Sequence, residues 1–484
     1  MNRISAVWQT SLILVLAILA GCRGSYQPPP APLSPTNLNL IFVASEDLGY
    51  QASGDVNAKT ANLTDQGLRR ALLMGSFLQD NVLGGHNVTG IYALEPMTHP
   101  QTANDYPDMV ALETIQQFAM LNQITISDGG NPPTFTSANS YPIFASYAPA
   151  QTLPPNVVAQ ASPCPGCQGL DFDDQNGDNE TLVNGIVQGD VPGFYVFSAP
   201  WETVSALMAK ISQQQSYNLT LPARYTGPNY VYAISIAPSG SASLVTYQSY
   251  LNPTFSYPAL PSDSIVSASC TGTYHVQVIG GSAGAVIPSN TNTNETVYLI
   301  RHAEAHPIPA WDDGNYVGPG QWRALDLPNA LRGKIHPTQV YSIDPSAGGI
   351  PNGDGTALSS YVRPSLTAEP YAIANGLPFN LAASVAVFSE VPPAFATNAS
   401  KFFFTQGTFS NQTLLVAWEH DHIPPTINAL LNSYQVTPNA PTWLDTDYDS
   451  MWTVTLDNAG NLTVDNESCE GINSASLPPT PPQF

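Results

Sequence analysis

Two stretches of this chain carry the same succession of local patterns, and that internal repeat constrains the fold more than any other feature. In the second stretch an apolar run, Val297-Tyr298-Leu299-Ile300, leads into Arg301-His302-Ala303-Glu304; in the first, Ile41-Phe42-Val43 leads into Ala44-Ser45-Glu46. Downstream, Gly320-Gln321-Trp322-Arg323-Ala324-Leu325 with Leu331 matches Gly67-Leu68-Arg69-Arg70-Ala71-Leu72 with Leu78. Val340-Tyr341-Ser342-Ile343-Asp344-Pro345 answers Ile91-Tyr92-Ala93-Leu94-Glu95-Pro96, and Thr367-Ala368 answers Thr102-Ala103. Leu414 to Ala417 and Phe194 to Phe197 read as later apolar strands. Trp452 to Val464 and Tyr232 to Val245 alternate with period two around Gly460 and Gly240, as hairpins do. Strands alternating with helices predict α/β architecture: two tandem three-layer α/β/α domains with mainly parallel sheets, at 38–256 and 295–471. Residues 257–294 read as a linker in which Tyr274 to Ile279 offers an edge strand, and residues 472–484 as a disordered tail.

Charge excludes one class of partner. Asp and Glu number 36 against 13 Lys and Arg, a net charge of −23, whereas nucleic-acid backbones are held by clustered cations. With 43% hydrophobic residues the chain is too apolar for disorder, and its 45 prolines and 35 glycines imply many loops. At the N-terminus Arg3 precedes an apolar run, Ser11 to Ala20, shorter than the roughly 20 residues of a spanning helix, which reads as a signal peptide. It ends in Leu19-Ala20-Gly21-Cys22, which resembles a bacterial lipobox, so Cys22 is expected to carry lipid and residues 23–37 to form a Pro-rich tether. The expected location is extracytoplasmic, anchored to a bacterial membrane by lipid alone, with a secreted protein as the alternative. Nine Asn-x-Ser/Thr sequons, Asn62, Asn218 and Asn411 among them, keep a eukaryotic secreted origin open. Of the four remaining cysteines, Cys164, Cys167, Cys270 and Cys469, an oxidising compartment allows two disulfides in any of three pairings.

Open α/β sheets bind ligands beyond the carboxyl ends of their strands. There the second copy offers Arg301, His302, His420 and, four residues before Thr367, Arg363; the first offers Ala44, Ser45, Pro200 and Thr98. Two guanidinium forks and two imidazoles suit a phosphoryl group, because arginine gives paired, charge-assisted hydrogen bonds and imidazole serves as nucleophile or donor near neutrality. Arg301, Arg323, Arg332, Lys334 and Arg363 fall within 63 positions, which suggests a local positive basin for an anionic ligand.

Arg301-His302-Ala303-Glu304, Arg363 before Thr367-Ala368-Glu369, and Glu419-His420 after a strand together resemble the histidine phosphatase, or phosphoglycerate-mutase-like, superfamily. The resemblance covers 295 to about 471, with the first copy as a degenerate, inactive relative. It implies that His302 becomes a phosphohistidine which water hydrolyses, that Arg301, Arg363 and His420 hold the phosphoryl oxygens, and that neither metal nor cofactor is needed. The general acid is Asp421, as in the acid phosphatase branch, or Glu390, as in the mutase branch. Ala303 replaces the more usual glycine, and Ala305 stands where the acid phosphatase branch has an arginine. Strand alternation turns Glu419 to the face opposite His420. Arg323 is expected to be structural, because Arg70 occupies its place in the copy without a phosphate pocket. The expected function is hydrolysis of phosphomonoesters on a small molecule, the alternative a non-catalytic phosphate-binding scaffold, with any protein partner of the first domain unidentified.

Other features read more plainly. The run from Asp171 to Glu180 faintly resembles a calcium loop but reads as a solvated acidic loop. His306 and His422 either touch substrate or lie on the loop surface, and Trp311 and Trp322 either wall the pocket or pack the core, the core being the default.

Overall fold

A computed structural model describes residues 30–102, 106–124, 140–145, 169–174, 176–265, 270–305, 313–345, 350–351, 358–382 and 393–484. The first sheet is built from β1 (Leu38–Ser45), β2 (Gly90–Ala93), β3 (Gly193–Pro200), β4 (Tyr230–Ile236) and β5 (Ala242–Gln248), in the order β2-β3-β1-β4-β5. The second contains β6 (His275–Val278), β7 (Glu295–Arg301), β8 (Gln339–Ile343), β11 (Phe379–Ala382), β12 (Thr413–Trp418), β13 (Ser450–Leu456) and β14 (Leu462–Cys469), in the order β11-β8-β12-β7-β13-β14-β6. Two-residue strands β9 (Ile350–Pro351) and β10 (Leu358–Ser359) pair only with each other. Strands β8-β12-β7-β13-β14 therefore follow the same order as β2-β3-β1-β4-β5. Their registers agree too: Leu40 faces Tyr195 and Phe42 faces Tyr232 in one sheet, and Val297 faces Leu414 and Leu299 faces Trp452 in the other.

The helices are α1 (Asp65–Phe77), α2 (Val110–Leu121), α3 (Asp178–Gly189), α4 (Trp201–Gln214), α5 (Gly318–Ala330), α6 (Arg363–Asn375), α7 (Pro393–Phe404) and α8 (Ile423–Ser433). One apolar core joins Ile41, Val43 and Val196 of the first sheet to Ile300, Leu415 and Ala417 of the second, through Met74 of α1, Phe118 of α2, Leu327 of α5 and Leu366 of α6. Burying each such Leu, Ile or Phe contributes about 1.5–3 kcal/mol. The outer face of the first sheet is covered by α3 and α4, that of the second by α7 and α8. A helical layer thus lies between the two sheets and is shared by both. Buried polar pairs cross it: Gln116 donates to Asn315 Oδ1 at 2.9 Å, and Asn315 returns a bond at 3.1 Å. Gly67 and Gly320 open corresponding helices, and each permits a close approach: a Cβ would stand 2.2 Å from Asp55 O or 2.7 Å from Glu304 O.

Several expectations change. The sheets are mixed rather than mainly parallel: β2, β3 and β1, and β11, β8, β12 and β7, run parallel, while every remaining neighbour is antiparallel because each hairpin joins the edge of the parallel set. Residues 257–294 are not simply a linker. They supply edge strand β6, paired with β14 and tied to it by the Cys270–Cys469 disulfide. The C-terminal residues, expected to lack structure, pack in place, with Pro482 O accepting from Gln117 Nε2 at 3.1 Å and Phe484 against Phe255, ring centroids 5.4 Å apart. Cys22, Cys164 and Cys167 lie outside the described residues.

Candidate active site

Parallel pairing of β7 with β12 sets Arg301 opposite Trp418, so the chain delivers His302 and Glu419 side by side as both strands end. His302 N donates to Trp418 O at 2.9 Å, and its buried ring is fixed at both nitrogens: Nδ1 lies 2.7 Å from Ala303 O and Nε2 3.0 Å from Glu419 Oε2. Ala303 N donates to Thr367 Oγ1 at 2.8 Å, and Thr367 Oγ1 donates to Arg363 O at 2.7 Å, which locks the turn after β7 to the start of α6. Burial pulls His302 down to about 4, against the upward pull of Glu419. Both ring nitrogens thus face oxygen acceptors, and it is the Nε2 edge that points to Glu419.

Glu419 is not turned away, as strand alternation suggested. β12 ends at Trp418, so the period-two rule no longer governs the next residue, and the buried carboxylate lies among His302, Tyr361, Arg363 and His420. Tyr361 Oη also donates to Oε2, while Oε1 accepts from His420 Nδ1 and, at 3.0 Å, from His420 N. Arg363 Nη2 is 3.9 Å from Oε2, its guanidinium over the Tyr361 ring at 4.7 Å. Burial opposes charge on Glu419, but His302, His420 and Arg363 outweigh it and hold the carboxyl well below its ordinary range. Burial likewise opposes charge on His420, and Glu419 overcomes it, raising that imidazole.

Arg301 borders the same space. Its Nη1 donates to Asp445 O at 2.5 Å, its guanidinium lies 3.9 Å over the Tyr448 ring, and its buried Nε has no partner among the described residues. Asp421 Oδ1 is 3.6 Å from His420 Nε2, and Asp445 Oδ1, missed in the sequence, is nearer at 2.9 Å. Burial raises Asp421 above the usual aspartate value, against His420. Glu390, His306 and Trp311 lie outside the described residues. The structure therefore gathers Arg301, His302, Arg363, His420 and Asp421, and adds Glu419, Tyr361, Asp445 and Tyr448. The sequence signal for Asp445 and Tyr448 was an acidic, Tyr-containing run ahead of the final hairpin.

The positive basin does not form. Arg323 is fully buried, with Nε 2.9 Å from Glu304 Oε1, Nη1 2.5 Å from Glu470 Oε2 and Nη2 3.1 Å from Ile472 O. This is the structural role expected of it, and Arg70 acts alike in the other half, bonding Asp55, Asn229 and Leu251 O. Arg332 bonds Asn329 at the surface and Lys334 reaches Cys469 O and Glu470 O, so only Arg301 and Arg363 serve the pocket. His422 is not on the loop surface: it is buried at the start of α8, close to Glu419 and His420, and burial lowers it to about 4. Trp322 is half-buried against the apolar cluster of Leu260, Ile472 and Leu477, its Nε1 donating to Thr480 O at 2.8 Å. In the acidic loop, Lys210 compensates Asp174 at 2.5 Å and Glu180 at 3.6 Å. Asn62 is buried and so unsuited to carry a glycan.

Where the first sheet repeats this geometry, Ser45 lies opposite Pro200. Since Ser45 corresponds to His302, Pro200 corresponds to Glu419, one place short of the expected match with His420. Among the described residues, Ala44 and Ser45 stand there in place of Arg301 and His302, and Trp201 follows Pro200 where His420 follows Glu419. Instead Glu46, raised to about 7 mainly by burial, accepts from Tyr225 Oη at 2.6 Å.

Among the described residues, two groups of donors lie close enough to hold a cation: His302, Glu419 and His420, and His420, Asp421 and Asp445. Arg363, beside Glu419, opposes added positive charge in the first.

No protein-family model matches the chain, and no curated protein does. Among solved structures, it is similar to a protein assigned as phosphohistidine phosphatase SixA of Agrobacterium tumefaciens, at 15% identity over 33% of this chain and 90% of that one, with a TM-score of 0.19. A second, assigned as phosphohistidine phosphatase SixA of Nakamurella multipartitia, is 14% identical over 41% of this chain and 96% of that one, with a TM-score of 0.22.

Proposed function

We propose that this protein is a phosphatase that hydrolyses phosphomonoesters through a phosphohistidine at His302. One observation carries the reading: with Nδ1 bonded to Ala303 O, His302 turns Nε2 to the point on which Arg363 and His420 converge. In the first step Nε2 bonds to phosphorus as the ester P–O bond breaks, and Asp421 gives the leaving oxygen its proton. In the second, water attacks phosphorus as the Nε2–P bond breaks, one water proton goes to Asp421, and inorganic phosphate leaves with His302 restored. Arg301, Arg363 and His420 offset the charge that develops on the phosphoryl oxygens, a kind of stabilisation that needs no metal. The first half, with Ala44 and Ser45 in place of Arg301 and His302, is a non-catalytic brace. An extracytoplasmic setting, with Cys22 as lipid anchor, belongs to the same proposal, and the Cys270–Cys469 bridge suits an oxidising compartment.

The position of Glu419 favours a second reading, a pocket that binds phosphate without turnover. Release of phosphate from p-nitrophenyl phosphate between pH 4 and 8 in EDTA separates the two. Turnover lost in His302→Ala supports the phosphatase; phosphate binding without turnover supports the second reading.

A further inference from the structure

The groups assigned to a phosphoryl ligand already hold an anion of the protein's own. Glu419 Oε2 takes His302 Nε2 at 3.0 Å and the Tyr361 hydroxyl; Oε1 takes both the ring and the backbone N–H of His420; Arg363 stands 3.9 Å away. An electrophile under attack by Nε2 must approach to about 3–3.5 Å along its lone pair. That position is where Oε2 lies, so carboxylate and phosphoryl group cannot both be there. Glu419 also offsets one of the two arginine charges that would draw in an oxyanion.

We propose that Glu419 is an internal competitor for the phosphoryl seat, so that its carboxylate must withdraw from His302 before an oxyanion binds. The inference rests on the phosphate-pocket reading above and adds a residue that sets the site's affinity and choice of anion. The apparent affinity is the intrinsic one reduced by the fraction of molecules in which the seat is open.

The test is calorimetric titration of the full chain with inorganic phosphate and with orthovanadate, for wild type, Glu419→Ala, Glu419→Gln and Glu419→Ala combined with Arg363→Ala. If the carboxylate fills the seat in nine molecules of ten, Glu419→Ala binds about tenfold tighter. Glu419→Gln keeps the shape but not the charge, falls between, and decides the matter should the alanine variant not fold. Adding Arg363→Ala removes the gain. Equal affinities in wild type and the Glu419 variants would refute internal competition while leaving the phosphate seat standing, and weaker binding in the variants would make Glu419 a contributor and equally overturn the proposal. No binding in any variant would overturn the seat itself and the inference with it.

Discussion

Glu113 on α2 and Glu369 on α6 meet, both buried, in the helical layer between the sheets, and they make stability depend on pH in an unusual direction. Burial raises Glu113 to about 8, with Glu369 partly offsetting it. Burial, then the charge of Glu113 and that of Asp108, holds Glu369 well above its ordinary range. Tyr316, beside both, is itself pushed up by burial and by Glu113. Between about pH 4.5, where unfolded glutamate titrates, and about 8, the folded protein binds protons that the unfolded chain releases. Stability is therefore full at mildly acid pH and falls as pH rises, by about 1.4 kcal/mol per pH unit for each such group. Glu113→Gln removes one titrating partner, so the decline should become shallower by about that slope. Urea unfolding of wild type and variant at pH 5, 6, 7 and 8, with comparable m-values, reads it directly. Stability that rises from pH 5 to 8, or an unchanged slope in the variant, would mean that this pair does not take up protons on folding.

Other outcomes follow from the same contacts. Arg323→Met should cost about 3–5 kcal/mol in urea unfolding by leaving Glu304 and Glu470 buried without their cation, whereas Arg332→Met at the surface should stay within about 0.5 kcal/mol. Loss of the Cys270–Cys469 bridge through paired serine substitutions should cost about 2–5 kcal/mol, read as a fall in the denaturation midpoint of the non-reduced protein. Arg363→Ala should lower kcat/KM for p-nitrophenyl phosphate by about 10²–10³, with Arg363→Lys recovering only part because a single ammonium lacks the planar fork.

The repeat was legible because side-chain period and turn chemistry are local. Ile91 and Val340 do occupy corresponding rungs, and Gly240 and Gly460 both turn their hairpins at φ +79°. The shared helical layer was not legible, since amphipathicity shows that Met74, Phe118 and Leu366 are buried but not which sheet they face. Arg301, His302, Arg363 and His420 could be found because their chemistry stands at strand and helix ends. Glu419 was misplaced because alternation was extended one residue beyond β12. Asp445 and Tyr448 arrive from a loop that no periodicity describes, and the apolar Ile472 and Leu477, buried at the C-terminus, were masked by their Pro- and Ser-rich surroundings.

The most direct test of the central claim is to trap the intermediate by denaturing the protein during turnover of a ³²P-labelled phosphomonoester and mapping the label. A phosphohistidine at His302 would appear as an acid-labile, alkali-stable phosphoryl group on the peptide that contains His302, absent from His302→Ala. Turnover that persists in His302→Ala, or a label on any other residue, would contradict it.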